Sequence, residues 1–129
     1  MKKILIIGAG AMGSAFTIPC LDNKNEVTLS EPYNFKLIKK ILSKKRFHPA
    51  LQLNLPKNLI IKKFSSEMLI DKWDLVVIAV SSAGIDSIRE SLKKLKSSCP
   101  VLILTKGLKY DRNKKKIITM SEQLNSGKK

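Results

Sequence analysis

The stretch KKILIIGAGAMG, residues 2–13, places three glycines directly after a run of isoleucine and leucine. Such an apolar run is typical of a strand that is buried on both faces, as in a parallel sheet. The glycines have the spacing G-x-G-x-x-G, and a helical pattern begins at Ala11. A strand, a glycine-rich turn and the start of a helix, in this order, form the dinucleotide-binding fingerprint. The stretch therefore predicts an α/β fold with a nucleotide site at its first turn.

The three glycines have separate expected roles. Gly8 permits the tight turn, Gly10 lets a diphosphate approach the backbone, and Gly13 lets the helix pack closely on the strand. The free N–H groups at the start of the helix and the positive end of its dipole then face the phosphates. The alternative is a glycine-rich turn with a purely structural role.

Strand and helix patterns alternate along the rest of the chain. Strands are predicted over residues 3–7, 26–30, 59–64, 74–80 and 100–105. Helices are predicted over residues 11–22 and 34–43, from Ser82 as N-cap through Leu95, and on the face formed by Ile117, Met120 and Leu124. Residues 44–58 and 106–115 are predicted loops, and residues 65–70 a weak helical turn. The alternation predicts a doubly wound, mostly parallel, Rossmann-like sheet of about five strands with helices on both faces.

Pro19 lies inside the first predicted helix. A proline there removes a backbone N–H and clashes with the preceding turn, which costs about 3 kcal/mol or more. Unless this helix kinks or stops near Thr17, we expect Pro19 to destabilise it.

Composition limits the classes of function. The chain has 129 residues, 43% of them hydrophobic, and its longest apolar runs are too short to span a bilayer. Its net charge of +15 comes from 22 lysines and three arginines spread along the chain. Arginine, the usual reader of bases, is scarce, and aromatic residues are few, so we expect no specific nucleic-acid partner. Cys20, Cys99 and a single histidine indicate neither a metal site nor a disulfide framework. We expect a soluble, cytoplasmic protein of one domain.

Two further segments bear on the nucleotide. Glu31 follows Gly13 by 18 residues, close to the spacing of a carboxylate that binds the adenosine ribose. Such a carboxylate repels a 2′-phosphate, so NAD is favoured over NADP as the cofactor; the alternative is a solvated glutamate in a turn. Val80 and Ser81 end the fourth predicted strand, where small residues suit a nicotinamide ribose but equally suit any turn from strand to helix.

Four segments together resemble the amino-terminal half of NAD(P)-dependent glycerol-3-phosphate dehydrogenase. They are IIGAGAMGSAF (6–16), RFHPALQLNLPKNL (46–59), DLVVIAVSSAGI (74–85) and VLILTKGL (101–108). The first segment also resembles ketopantoate reductases, and such a reductase remains an alternative. The pairing of an aromatic-x-Pro loop with a later TKG is the more specific feature.

The resemblance implies hydride transfer between nicotinamide and the carbon that is a ketone in dihydroxyacetone phosphate. By position, Ala11 and Met12 would contact the cofactor through the glycine loop, and Phe47 would be the loop aromatic that meets it. Lys106 would be the lysine that touches both the cofactor and the substrate. An ammonium at the carboxyl end of the fifth predicted strand can reach a substrate oxygen or phosphate.

The resemblance also implies that residues 1–129 form only part of a dehydrogenase. In the family, a helical carboxyl-terminal domain follows and supplies a second catalytic lysine. We therefore expect this chain to bind NAD(H), to be inactive alone, and to act with a separate carboxyl-terminal chain or as a homo-oligomer. A stand-alone nucleotide-binding module is the alternative.

Overall fold

The computed structural model describes residues 1–96, 98–105, 108–111 and 116–119. Its strands are β1 Lys3–Ile7, β2 Glu26–Glu31, β3 Phe47–His48, β4 Leu53–Asn54, β5 Ile60–Lys63, β6 Leu75–Ile78, β7 Val101–Ile103, β8 Leu108–Asp111 and β9 Lys116–Thr119. Its α-helices are α1 Ala11–Asp22, α2 Phe35–Ser43 and α3 Ile85–Ser91. Short 3₁₀ turns cover Ser66–Ile70, Ser82–Gly84 and Leu92–Lys94.

The main sheet has five parallel strands in the order β5-β2-β1-β6-β7. The chain first moves outward from β1 through β2 to β5, and then returns to place β6 on the other side of β1. The strand order therefore reverses between β1 and β6, which is where ligands bind in open α/β sheets. The predicted doubly wound parallel sheet is confirmed.

Side chains of β1 alternate between two cores, one on each face of the sheet. Ile4 and Ile6 pack in the first core together with Ile38 and Ile41 of α2. The second core contains Leu5 and Ile7 of β1 and residues from β6, α3 and the turn after α3. These residues are Val76 and Ile78 of β6, Ile85 and Ile88 of α3, and Leu92 of the turn. Because all of these β1 side chains are buried, the strand has a continuous apolar sequence and no polar face.

Helix α1 runs from Ala11 through Pro19 to Asp22, so it has the predicted bounds and does not stop near Thr17. The buried residues of the helix include Gly13 and Cys20, whereas Pro19 and Ala15 are exposed. The carbonyl of Ala15 is the group that a residue with an N–H at position 19 would bond. Since this side of the helix faces solvent, water can take the place of that bond.

Several predicted boundaries need correction. The loop predicted over 44–58 contains a small antiparallel hairpin, β3 with β4. Ser82 is not the N-cap of a long helix, because it begins a 3₁₀ turn and α3 starts only at Ile85, after Gly84 as N-cap. The predicted basic loop 106–115 contains strand β8, which pairs antiparallel with β9. Strand β9 occupies the start of the predicted last helix, so that helix is wrong at residues 116–119; Met120 and Leu124 lie outside the described residues.

None of the helices in the described part of the chain has the length and hydrophobicity needed to cross a bilayer.

Candidate functional site

The glycine loop lies at the carboxyl end of β1, beside the end of β6. Gly8 has a φ of +120°, a conformation that residues with side chains rarely adopt. A Cβ built on Gly8 would lie 2.5 Å from the carbonyl oxygen of Ala79, the residue after β6. The turn therefore needs glycine here both for its backbone conformation and for the close approach of β6.

The other two glycines differ in what surrounds them. A Cβ on Gly13 would collide with the carbonyl oxygen of Gly8, so close packing of α1 on β1 requires glycine at position 13. A Cβ on Gly10 would meet nothing within 4 Å. Gly10 is also the N-cap of α1 and has no side chain to bond the first helical N–H groups. Those N–H groups, on Ala11 and Met12 among others, have no acceptor within the helix.

The loop thus offers open space, backbone donors and the positive end of a helix, which together fit a diphosphate. Ala11 and Met12 are both exposed at this opening, and Met12 is 44% exposed.

The carboxylate of Glu31, the last residue of β2, is bound to the loop from one side. Its Oε1 accepts a 2.7 Å hydrogen bond from the N–H of Ala9. Its Oε2 accepts from the N–H groups of Tyr33 at 2.9 Å and Asn34 at 3.0 Å. Glu31 is only 7% exposed, so the alternative of a solvated glutamate is wrong. A carboxylate has about four acceptor positions, and three of them are used here, so one remains for a ribose hydroxyl.

His48 binds the same loop residue on its carbonyl side and was not among the predicted site residues. Its Nε2 lies 2.8 Å from the carbonyl oxygen of Ala9, and its ring is buried. Its Nδ1 accepts from the N–H groups of Ala50 and Leu51 at 3.2 Å and 3.3 Å. Because Nδ1 faces two donors, we assign the proton to Nε2, which donates to Ala9. The hydroxyl of Ser14 donates a second bond to this carbonyl, at 2.9 Å.

Phe47 is half-buried on β3, one residue before His48. The bond from His48 to Ala9 brings the β3–β4 hairpin to the glycine loop, and Phe47 is the neighbouring residue on that hairpin. The aromatic-x-Pro pattern of this segment indicated Phe47 as a site residue. No local pattern connects His48 with a residue 39 positions earlier in the chain.

Val80 and Ser81 come after Ala79, the residue that follows β6, and Val80 is buried whereas Ser81 is exposed. The hydroxyl of Thr105 donates to the carbonyl of Val80 at 2.7 Å, which joins the end of the β7 segment to the end of β6. Lys106, the residue after Thr105, lies outside the described residues. The structure therefore places Gly8, Glu31 and Val80 at one edge of the sheet. The expected contact of Lys106 with the cofactor and the substrate stays a prediction.

The family model described as NAD-dependent glycerol-3-phosphate dehydrogenase N-terminus matches residues 3–128. An NADP⁺-dependent glycerol-3-phosphate dehydrogenase of Archaeoglobus fulgidus is 30% identical over 106 residues, which cover 81% of this chain and 31% of that protein. A glycerol-3-phosphate dehydrogenase [NAD(P)⁺] of Clostridium botulinum is 29% identical over 98% of this chain and 38% of that protein. The chain spans about a third of the length of these relatives.

Solved structures show the same fold. A glycerol-3-phosphate dehydrogenase of Plasmodium falciparum superposes with a TM-score of 0.77 at 24% identity, over 96% of this chain and 37% of that one. The enzyme of Coxiella burnetii gives a TM-score of 0.75 at 19% identity, over 97% of this chain and 37% of that one.

Proposed function

Because the chain belongs to the NAD-dependent glycerol-3-phosphate dehydrogenase family, as its N-terminal NAD-binding domain, we propose that it holds NAD(H) for hydride transfer between glycerol 3-phosphate and dihydroxyacetone phosphate. The observation that carries this proposal is the contrast within the glycine loop. Gly8 and Gly13 are enclosed by backbone, whereas Gly10 faces open space at the start of α1. Such an opening suits a ligand that approaches the backbone itself.

Each part of the site has a proposed task. The first N–H groups of α1 bind the diphosphate, and the helix dipole favours its negative charge. The remaining acceptor position of Glu31 binds the adenosine ribose, while Val80 and Ser81 line the side of the nicotinamide ribose. Phe47 contacts the cofactor from the β3–β4 hairpin. When bound at these residues, NAD(H) would supply the hydride chemistry.

Lys106 is proposed to contact the substrate as well as the cofactor. Thr105 supports this role because its hydroxyl binds the carbonyl of Val80 just after β6, and Lys106 is the next residue in the sequence. A lysine at this edge donates charge-assisted hydrogen bonds to a substrate oxygen or phosphate.

We further propose that NAD is preferred over NADP. The carboxylate of Glu31 is anchored at the end of β2 by three backbone bonds, so it cannot easily turn away from a 2′-phosphate. The relative in A. fulgidus is named as NADP⁺-dependent, so family membership alone does not decide the cofactor. Titration with NADH and NADPH in parallel tests this preference, and tighter binding of NADPH would contradict it.

Fluorescence titration of the chain with NADH tests the main proposal. We expect saturable binding that ADP-ribose displaces, and an absence of saturation at millimolar NADH would contradict the proposal. Reduction of dihydroxyacetone phosphate is then assayed with the chain alone and with an added carboxyl-terminal domain from a family member.

Activity only in the mixture would support a cofactor domain that acts with a separate chain. NADH binding without any activity in the mixture would favour a stand-alone nucleotide-binding module. A cytoplasmic location and a homo-oligomeric state stay predictions.

A further inference from the structure

Tyr33 joins the turn after β2 to the turn after β6. Its hydroxyl donates a 2.5 Å hydrogen bond to the carbonyl of Gly84. Its ring lies against Gly84 so closely that a Cβ on that glycine would be 2.6 Å from the ring atom Cε2. Tyr33 is nevertheless 48% exposed, so this contact is at the surface rather than in a core.

The contact crosses the carboxyl end of β1. Strands β2 and β6 are the two neighbours of β1 in the sheet, and all three strands are parallel. The turns that follow them therefore lie at one edge, with the glycine loop between. The N–H of Tyr33 is held by Oε2 of Glu31, the proposed ribose ligand. A base attached to that ribose would enter the space between the two turns that Tyr33 now connects.

We propose that Tyr33 and Gly84 form a strap that closes the adenine side of the crevice and must open when a dinucleotide binds. The proposal rests on the proposed function and adds to it a residue that sets the affinity for the adenosine half. Opening breaks one hydrogen bond. The Tyr33 hydroxyl, on a half-exposed side chain, then bonds to water, and the Gly84 carbonyl, which is buried while Tyr33 covers it, becomes accessible to water as well. The freed tyrosine ring offers a flat aromatic face at the place where the base enters.

Two substitutions open the strap by different means. Tyr33→Phe removes the hydroxyl and keeps the ring. Gly84→Ala keeps the hydroxyl and adds a methyl group that the ring must leave. Gly84 has φ −88° and ψ −6°, which alanine adopts without strain, and the three atoms nearest to its Cβ position all belong to the end of the Tyr33 side chain. The second variant therefore displaces Tyr33 without disturbing the backbone.

The test is a titration of the full chain with NADH, ADP-ribose and reduced nicotinamide mononucleotide, which lacks the adenosine half. Each variant is expected to bind NADH and ADP-ribose about two- to tenfold more tightly than the wild type. This factor corresponds to the free energy of the one hydrogen bond that no longer competes with the ligand. Binding of the mononucleotide should not change. The double variant with Tyr33→Phe and Gly84→Ala should bind NADH no more tightly than either single variant, because both substitutions remove the same contact.

Tyr110→Phe is the matched control, because Tyr110 is the other tyrosine and lies on β8 in a separate two-stranded sheet. Variants that bind NADH as the wild type does, or more weakly, would overturn the strap while leaving the proposed function intact. If neither the wild type nor any variant binds NADH, the proposed function fails and the strap with it.

Discussion

The carboxylate of Glu31 accepts a buried 2.7 Å hydrogen bond from the N–H of Ala9, the residue between the first two glycines of the loop. The carbonyl of the same alanine accepts from His48 and from Ser14. Both polar groups of Ala9 are thus held by side chains from other parts of the fold. Glycine-rich turns have many accessible conformations, and these three bonds restrict the loop to one of them. A loop that is already ordered loses little entropy when a diphosphate binds.

Glu31→Gln should destabilise the chain and weaken nucleotide binding together. Glutamine keeps one carbonyl oxygen but turns an NH₂ group toward N–H donors that now face the carboxylate. We expect a loss of about 1–3 kcal/mol in the free energy of unfolding, measured in urea, because buried donors lose their acceptor. NADH affinity should fall in the same variant.

Glu26→Gln is the control for Glu31, since Glu26 begins the same strand. Its ion pair with Lys3 is 3.9 Å long and exposed, so its loss should cost less than about 1 kcal/mol. Equal destabilisation by the two substitutions would show that the buried bonds to the loop contribute nothing particular.

His48→Phe should also destabilise the chain, by about 1–3 kcal/mol, because Ala9, Ala50 and Leu51 all lose a partner. Ser14→Ala should cost less, since the Ala9 carbonyl keeps its bond to His48. His48→Gln supplies an amide donor for that carbonyl and should recover part of the loss. The prediction fails if the free energy of unfolding in urea is no higher for His48→Gln than for His48→Phe.

Gly10→Val and Gly13→Ala should have opposite effects on stability and binding. Gly10 has open space around its Cβ position and a φ of −67°, so valine should cost only the modest penalty of a poor N-cap residue, about 1 kcal/mol or less, while its side chain blocks the diphosphate. We expect NADH affinity to fall by at least about tenfold, the equivalent of 1.4 kcal/mol. Gly13→Ala should instead lower the unfolding midpoint, because the methyl group meets the backbone of Gly8. Unchanged NADH affinity in Gly10→Val would remove the main support for the cofactor site.

The parts of the fold that the sequence predicted well are those with a strong local pattern. Strand β1 is apolar at each position from Ile4 to Ile7 because it is buried on both faces, and the glycines follow it at a diagnostic spacing. The structural roles of Gly8 and Gly13 could therefore be derived from the sequence alone. The position of Glu31 could be derived as well, because β2 must end beside the loop in a parallel sheet.

The features of the fold and the site that the sequence did not predict depend on distant contacts or on very short elements. Strands β3 and β4 have two residues each, too few for any periodicity. His48 reaches Ala9 only through the hairpin that these strands form. At residues 116–119 the apolar spacing of a longer window indicated a helix, but Ile117, Ile118 and Thr119 are β-branched and favour the strand that is found. The bond of Tyr33 to Gly84 spans 51 residues and had no sequence signal.

Cys20 should make stability fall as the pH rises into the alkaline range. It lies on the buried side of α1, and this burial raises the pKa of its thiol above the ordinary value. Between the unfolded and the folded pKa, the folded chain keeps the proton that the unfolded chain has lost, so unfolding releases a proton and becomes easier as the pH increases. The contribution is complete below the unfolded pKa, about 8.5, and is lost as the pH passes the folded value. Unfolding free energies measured from pH 7 to 10 should therefore decline more steeply for the wild type than for Cys20→Ala. Because the two proteins differ at this residue alone, parallel curves would show that Cys20 has no such role.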